Sequence, residues 1–433
     1  MTLKTFQIPY GNTIQEVKLP EEKVIYDIHG NKAEIKEDLC AETLRALREP
    51  IDSTPLAQLV KKGDKVTIIV SDLTRMVRTK EFLPVILDEL NANDIADNDI
   101  CIVVATGTHR GHTPAENIAV YGEDVCKRIK IYQHDCMAKD LVPMGTTSRG
   151  TPIWLDKRVA DADKVIVTGG ITLHPMAGFG GGRKGVMPGV SGHATIMANH
   201  AHALADKVGD RCNPACIAGV LQDNPFHEDM EEVCAALNPA FLVNTVFTPD
   251  GDLFEVVAGN WKTAWLKGCK DLLEISKVDI CEEADVVIAS AGGAPKDTNL
   301  YQGTKAHMNA DFALKKDGIL IVALECPDIK EPAIFSDWCS KSDLLQMEKE
   351  CREDFSIPAF VAFKTRCIIA DCTAYMVTLP ENFDYVRQTG QIPVATVAEA
   401  WELAQAKLKE QGKDNYKIIV MSHASSTLPV LKA

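Results

Sequence analysis

Residues 162–170 read ADKVIVTGG, and residues 284–293 read ADVVIASAGG. Each opens with an acid, runs through β-branched apolar residues and closes in glycine, the pattern of a strand buried on both faces. Four more short apolar, β-branched runs are bounded by charged or turn residues: KVTIIVSD (65–72), ICIVVATGTH (100–109), GILIVALE (318–325) and KIIVMSH (417–423). Between them lie helical patterns, among them TKEFLPVILDELNAN (79–93) and TVAEAWELAQAKLKEQG (396–412). Alternating strand and helix defines an α/β protein with mostly parallel sheets. Because the echo falls once in each half of the chain, two domains are expected. A boundary near 275–283 gives an N-terminal domain over 1–275 and a C-terminal domain over 283–410. The final strand, 415–433, is expected to rejoin the first domain. Open α/β sheets bind ligands beyond the carboxyl ends of their strands. Chemistry is therefore sought in the polar residues that trail these runs: Asp72 and Arg75, His109, His174, and later Gln302 and Lys305.

Bulk properties narrow the function. The chain has 433 residues and a net charge of −15, which argues against nucleic acid or an anionic membrane surface as partner. Its apolar runs are strand-length, too short to span a bilayer. The N-terminal MTLKTFQIPYGN has no signal-peptide core, so a cytoplasmic location is expected. Fourteen cysteines are scattered without the paired spacing of a protein-only zinc site.

The segment HPMAGFGGGRKGVMPG (174–189) concentrates glycine beside two cations. Gly180, Gly182 and Gly185 satisfy G-x-G-x-x-G, but ITLHPMAGF separates them from the strand, and Pro188 and Gly189 prevent a helix from opening there. A Walker loop fails as well, since Arg183 stands where it needs glycine. No acid lies between Gly169 and Asp206 to offset Arg183 and Lys184. Unhindered backbone N–H groups with two cations read as a phosphate site.

With SDLTR (71–75), ATGTHR (105–110), His200 and DTNLYQGTK (297–305), this segment resembles, in order and spacing, the lactate racemase family. That resemblance implies an isomerase, a 2-hydroxyacid racemase or epimerase, with its active site in an interdomain cleft. It implies nickel held in a pincer nucleotide, a pyridinium-3-thioamide-5-thiocarboxylate mononucleotide made by separate cofactor-maturation proteins. By motif position Lys184 is the covalent tether, His200 the metal ligand, and His109 and His174 the acid/base pair. Asp72 falls near the cofactor, and Gly178, Gly180, Gly181 and Gly182 are expected to admit its phosphate. Arg75, Tyr301, Gln302 and Lys305 are expected to hold the carboxylate of a small 2-hydroxy acid. The soft donors that nickel prefers would then come from the cofactor's sulfurs rather than from cysteine.

The residues alone leave several points open. Histidine suits proton exchange near neutral pH, but His193, His200 and His202 crowd one helix, and spacing does not choose the ligand among them. His112 reads as a satisfied surface histidine. Trp338 fits core packing as well as a pocket wall, so it is not assigned. Two rival functions remain: an NAD-dependent 2-hydroxyacid dehydrogenase, and a nickel- or nucleotide-binding protein without turnover.

Overall fold

The structure, a computed structural model, describes residues 2–75 and 77–432. The chain divides into two compact units. The first comprises 33–203 and 215–274; the second takes the chain up to Lys32, the segment 204–214, and everything from Ile275 onward.

The first unit is built on a six-stranded sheet in the order Leu253–Gly259, Phe241–Phe247, Lys164–Ile171, Val66–Ser71, Ile100–Ala105, Lys130–Gln133. All neighbours are parallel except the first pair. Ile68, Val70, Ile102, Val104 and Ile166 face a core shared with the helix Thr79–Asn91, which buries Phe82, Leu83, Ile86, Leu87 and Leu90 at helical spacing. From Val66–Ser71 the chain adds strands in one direction, then returns to lay Lys164–Ile171 on the other side. That reversal is the topological switch point, where loops diverge and leave a crevice beyond the strand ends.

The second unit carries a wholly parallel sheet, in the order Ile392–Val394, Thr373–Val377, Leu314–Ala323, Ala284–Ser290, Ile418–Met421, Val24–Ile28. Both echo runs are thus interior strands of parallel sheets. Among the described residues, no helix is long and apolar enough to cross a membrane.

The unit boundaries differ from those expected. The terminal strand Ile418–Met421 lies in the second unit, between Ala284–Ser290 and Val24–Ile28. The N-terminal residues belong there too. The hairpin of Leu3–Tyr10 and Thr13–Pro20 packs Phe6, Ile8, Val17 and Leu19 on the sheet face formed by Val286, Ile288, Ile319 and Ile321. The reason is burial: a parallel sheet needs cover on both faces, and hairpin and helix Val397–Glu410 together close this one. An all-apolar run such as KIIVM carries no mark of which sheet it will join.

Candidate active site

Asp72 ends the strand Val66–Ser71 and is buried. Its Oδ2 lies 2.6 Å from His109 Nδ1, and its Oδ1 accepts from Thr74 N at 3.1 Å and Thr74 Oγ1 at 2.6 Å. Burial alone would raise this carboxyl, but hydrogen bonds from His109 and Thr74, with the charges of His109 and Arg75, outweigh it and hold the group below its ordinary range. An ionised Asp72 makes His109 Nδ1 the donor, so a neutral His109 has its lone pair on Nε2. His109 and Arg75 are both exposed.

The loop under Asp72 is fixed by a histidine read above as a surface residue. His112 is buried; its Nε2 accepts from Leu73 N at 2.9 Å, its Nδ1 meets Asn117 Oδ1 at 3.1 Å, and its ring stacks on Tyr121. Tyr121 in turn donates to Ser71 O at 2.8 Å.

Across the switch point, Lys164–Ile171 leads into a two-residue antiparallel bridge, Leu173–His174 against Gly178–Phe179. His174 closes the turn on itself: its Nδ1 accepts from Met176 N at 3.2 Å and Ala177 N at 3.0 Å. The following loop is joined to the His109 loop, since Gly107 N donates to Gly189 O at 3.0 Å.

Here the expected phosphate cradle needs correction. A Cβ on Gly178 would stand 2.3 Å from Val220 O, on Gly180 2.8 Å from Thr172 Oγ1, on Gly181 2.8 Å from Asn244 Oδ1, and on Gly182 2.5 Å from Trp265. Two of the backbone N–H groups are already used: Gly180 N donates to Thr172 O at 2.7 Å and Gly182 N to Asn244 Oδ1 at 2.7 Å. These positions are glycine because protein closes over them, and Gly178, Gly181 and Gly182 also have positive φ.

Arg183 is not a solvated cation either. It is fully buried, donates from Nη2 to Ala177 O at 2.7 Å and from Nε to His227 Nδ1 at 2.8 Å, and stacks on Trp265 at 3.9 Å. No carboxylate pairs with it among the described residues. Burial pulls its pKa down to about 10, and burial with the Arg183 charge takes His227 down to about 3.

Lys184 sits between these groups, partly exposed. Among the described residues its amine has no hydrogen-bond or ion-pair partner. Burial, then the charges of Arg75 and Arg183, hold its pKa well below the ordinary lysine value. A desolvated lysine with no partner is less basic than an exposed one, and its amine is the more available as a nucleophile.

The helix His193–Ala201 places its three candidate histidines differently. His193 is exposed at the first turn. His202 lies just beyond the end, 3.8 Å from Asp229 Oδ2. His200 is buried, its ring edge-on to Phe226, and its Nδ1 donates to Ile196 O at 2.8 Å. Burial and the Lys184 charge push its pKa down to about 3. A neutral imidazole with Nδ1–H tied to a carbonyl presents its Nε2 lone pair, the form of a metal ligand. Among the described residues no three His, Cys, Asp or Glu side chains converge to hold an ion.

In the second unit Tyr301, Gln302 and Lys305 share the first turns of the helix Leu300–Asp311, capped by Asn299, whose side chain accepts from Gln302 N. They are the partly exposed positions among buried neighbours. Lys305 Nζ donates to Gln302 Oε1 at 3.1 Å, and the Tyr301 ring meets Phe335 edge-on. Trp338 is partly buried against this unit's core, with the Lys341 ammonium 3.8 Å from its ring centre.

Sequence reading missed Asn244, His227 and Trp265. Asn244 left a signal: it is the one amide in the apolar strand FLVNTVF, where an unpaired polar group would be costly. His227 and Trp265, on two helices far along the chain, left none.

A parallel α/β protein with an acid-paired histidine, a lysine of lowered basicity and a ligand-type histidine around one switch point belongs to the class of enzymes that work on a bound organic group. The chain belongs to the lactate racemase family: the family's N-terminal domain matches residues 10–210 and its C-terminal domain residues 280–428. It is 31% identical to a lactate racemase of Thermoanaerobacterium thermosaccharolyticum over 95% of this chain and 97% of that protein. It is 33% identical to one from Lactiplantibacillus plantarum over 66% of this chain and 65% of that one. The structure of the lactate racemase apoprotein from T. thermosaccharolyticum superposes with a TM-score of 0.88 at 30% identity, covering 98% of this chain and all of the other.

Proposed function

We propose that this protein is a racemase or epimerase acting at the carbinol carbon of a small 2-hydroxy acid, with nickel in a pincer nucleotide attached to Lys184. The observation that carries this reading is Lys184 itself, an amine without a partner among the described residues, its basicity lowered by burial, together with a buried, ligand-type His200. An amine of lowered basicity suits covalent attachment through an acyl or thioacyl carbon, and His200 Nε2 would supply the protein donor to nickel. Bound there, the cofactor supplies a hydride acceptor and the sulfur donors that the described residues do not gather. Its phosphate would need groups other than the four glycines.

The remaining steps belong to side chains. His109, its Nδ1 anchored on Asp72, accepts the hydroxyl proton on Nε2, and Asp72 stabilises the imidazolium that results. His174 stands at the end of the neighbouring strand as the second proton-handling group. Arg75 would grip the carboxylate, since a guanidinium fork orients such a group as well as binding it; Tyr301, Gln302 and Lys305 of the second unit are further carboxylate-binding candidates. Cofactor-maturation proteins would be needed before turnover.

Intact-mass analysis after co-expression with a cofactor-making system tests this. A sulfur-containing nucleotide adduct is expected on the Lys184 peptide, lost in Lys184→Ala together with the activity. An adduct that survives the substitution would overturn the assignment. A substrate deuterated at the carbinol carbon should racemise in ordinary water with its deuterium retained. Washout into solvent would indicate proton abstraction, and strict dependence on added NAD would indicate a dehydrogenase.

A further inference from the structure

We infer that His109 and His174 are held in opposite tautomers, and that Arg183 is the positioning residue that sets the tautomer of His174. The consequences for turnover rest on the reading above; the tautomers themselves do not.

The argument is one of donors and acceptors. A backbone N–H can only donate, so His174 Nδ1, which receives Met176 N and Ala177 N, must carry its lone pair. The neutral ring then has its proton on Nε2. Asp72 is an ionised acceptor, so His109 Nδ1 carries the proton, and the lone pair sits on Nε2. At Nε2, one histidine accepts and the other donates.

His174 owes this state to its turn, and the turn is held from behind. Arg183 donates to Ala177 O at 2.7 Å and reaches Phe179 O at 3.4 Å, the two carbonyls flanking Gly178. Its Nε bond to His227 and its stacking on Trp265 leave the guanidinium no second place to go. Burying a cation without a carboxylate is costly, so the residue repays that cost through what it fixes. What it fixes is Ala177, whose N–H points at His174 Nδ1.

For turnover, a hydroxyl near both rings would lose its proton to His109 while His174 only donates a hydrogen bond. The opposite enantiomer needs the roles exchanged. His174 Nε2 can accept a proton only after the neutral ring has changed tautomer, Nδ1 gaining a proton from solvent as Nε2 gives its own up to solvent, and that requires the turn 174–177 to release its two N–H groups. One enantiomer therefore enters the resting enzyme directly and the other waits on the turn. Two enantiomers in achiral solvent have an equilibrium constant of one, so kcat/KM must be equal in the two directions. The asymmetry falls on kcat and KM separately.

The test uses the full chain without cofactor, its histidine rings labelled with nitrogen-15, and reads each ring by long-range proton–nitrogen correlation near neutral pH. His174 is expected to show an unprotonated Nδ1 and a protonated Nε2, and His109 the reverse. Arg183→Met should drive the two His174 ring nitrogens toward a common averaged shift while those of His109 stay in place. Arg183→Lys, which keeps the charge but not the fork, should do the same and serves if the first variant fails to fold. A protonated Nδ1 on His174 in the unaltered protein would overturn the tautomer assignment. His174 signals unmoved in both variants would overturn the role of Arg183. Either result is independent of whether any 2-hydroxy acid is racemised.

Discussion

The strands Lys164–Ile171 and Ala284–Ser290 echo each other in sequence and in sheet position, yet the segments leaving them use positive charge in different ways. After the first, Arg183 is fully buried against Trp265, and Lys184 loses its ordinary basicity with no carboxylate to pair with among the described residues. After the second, Asp297 Oδ2 accepts from Gly11 N at 2.8 Å and Glu325 N at 3.3 Å, and the chain turns directly into a capped helix that leaves Lys305 partly exposed beside Gln302. The same residue type thus stands in two environments that suit two chemistries. A desolvated lysine is a nucleophile; one at a half-open helix face is suited to gripping an anion. Environment decides between them, and both environments are set by residues outside the loop itself.

The largest effect expected from breaking this arrangement is at Asp72, which serves the first site alone. Asp72→Asn preserves the shape and the bond to His109 but removes the charge that stabilises the imidazolium, and a loss of about a hundredfold in turnover is expected. Stability should change with it in a defined direction. The Asp72 carboxyl is held below its ordinary value of 3.8 in the folded chain. Its ionised form therefore stabilises the fold above that value, and the contribution fades as pH falls through the lower, folded value. In urea titrations the deficit of Asp72→Asn should be full near neutrality and shrink in acid below about pH 4. A deficit that grew with acidity would contradict the assigned direction.

Next is the packing that buries the first loop. Gly182 has φ +48 and faces Trp265 at 2.5 Å. Gly182→Ala adds both backbone strain and overpacking and should cost about 1–3 kcal/mol in urea unfolding. If the loop is open to ligand instead, the overpacking would vanish and only the backbone strain, about 1 kcal/mol, would remain, and the phosphate-cradle reading would return.

The second site is sharpened by Lys305→Ala. Losing one charge-assisted contact to a carboxylate should lower kcat/KM about tenfold, mostly through KM, a change of about 1.4 kcal/mol. Steady-state kinetics on a carboxylate and on its uncharged amide analogue would check it, since the amide should show little further loss.

The sheets were legible because an all-apolar run of six residues between turn signals has few other fates. The helices Thr79–Asn91 and Val397–Glu410 declared themselves by spacing in the same way. Which sheet Ile418–Met421 joins was not legible, since pairing partners are chosen by a whole face and not by the strand. The motif residues were found, but not the reasons for them. Glycines 178 to 182 looked like room for a ligand, whereas the atoms occupying that room come from Val220, Asn244 and Trp265. His112 looked superficial because what buries it is Leu73, from a loop 39 residues earlier, closing against Asn117 and Tyr121 of the helix that follows it. In each case the missing fact was a contact remote in sequence.

The smallest effect belongs to the residue that spacing alone left level with His200. His193 stands two turns earlier on the same helix, so a sequence argument for shared orientation applies to both. The structure separates them by burial: His200 is 2% exposed, while His193 reaches solvent where its backbone N–H donates to Cys136 O. An exposed side chain at a first helical turn contributes little, and His193→Ala should change stability by less than about 0.5 kcal/mol. It should also leave nickel content unaltered in the matured protein, as measured by elemental analysis on the same samples used for unfolding. His200→Ala should lose most of the metal and keep the fold. If His193→Ala emptied the site instead, then burial and tautomer would be poor guides to the ligand, and the nickel role given to His200 would pass to its neighbour.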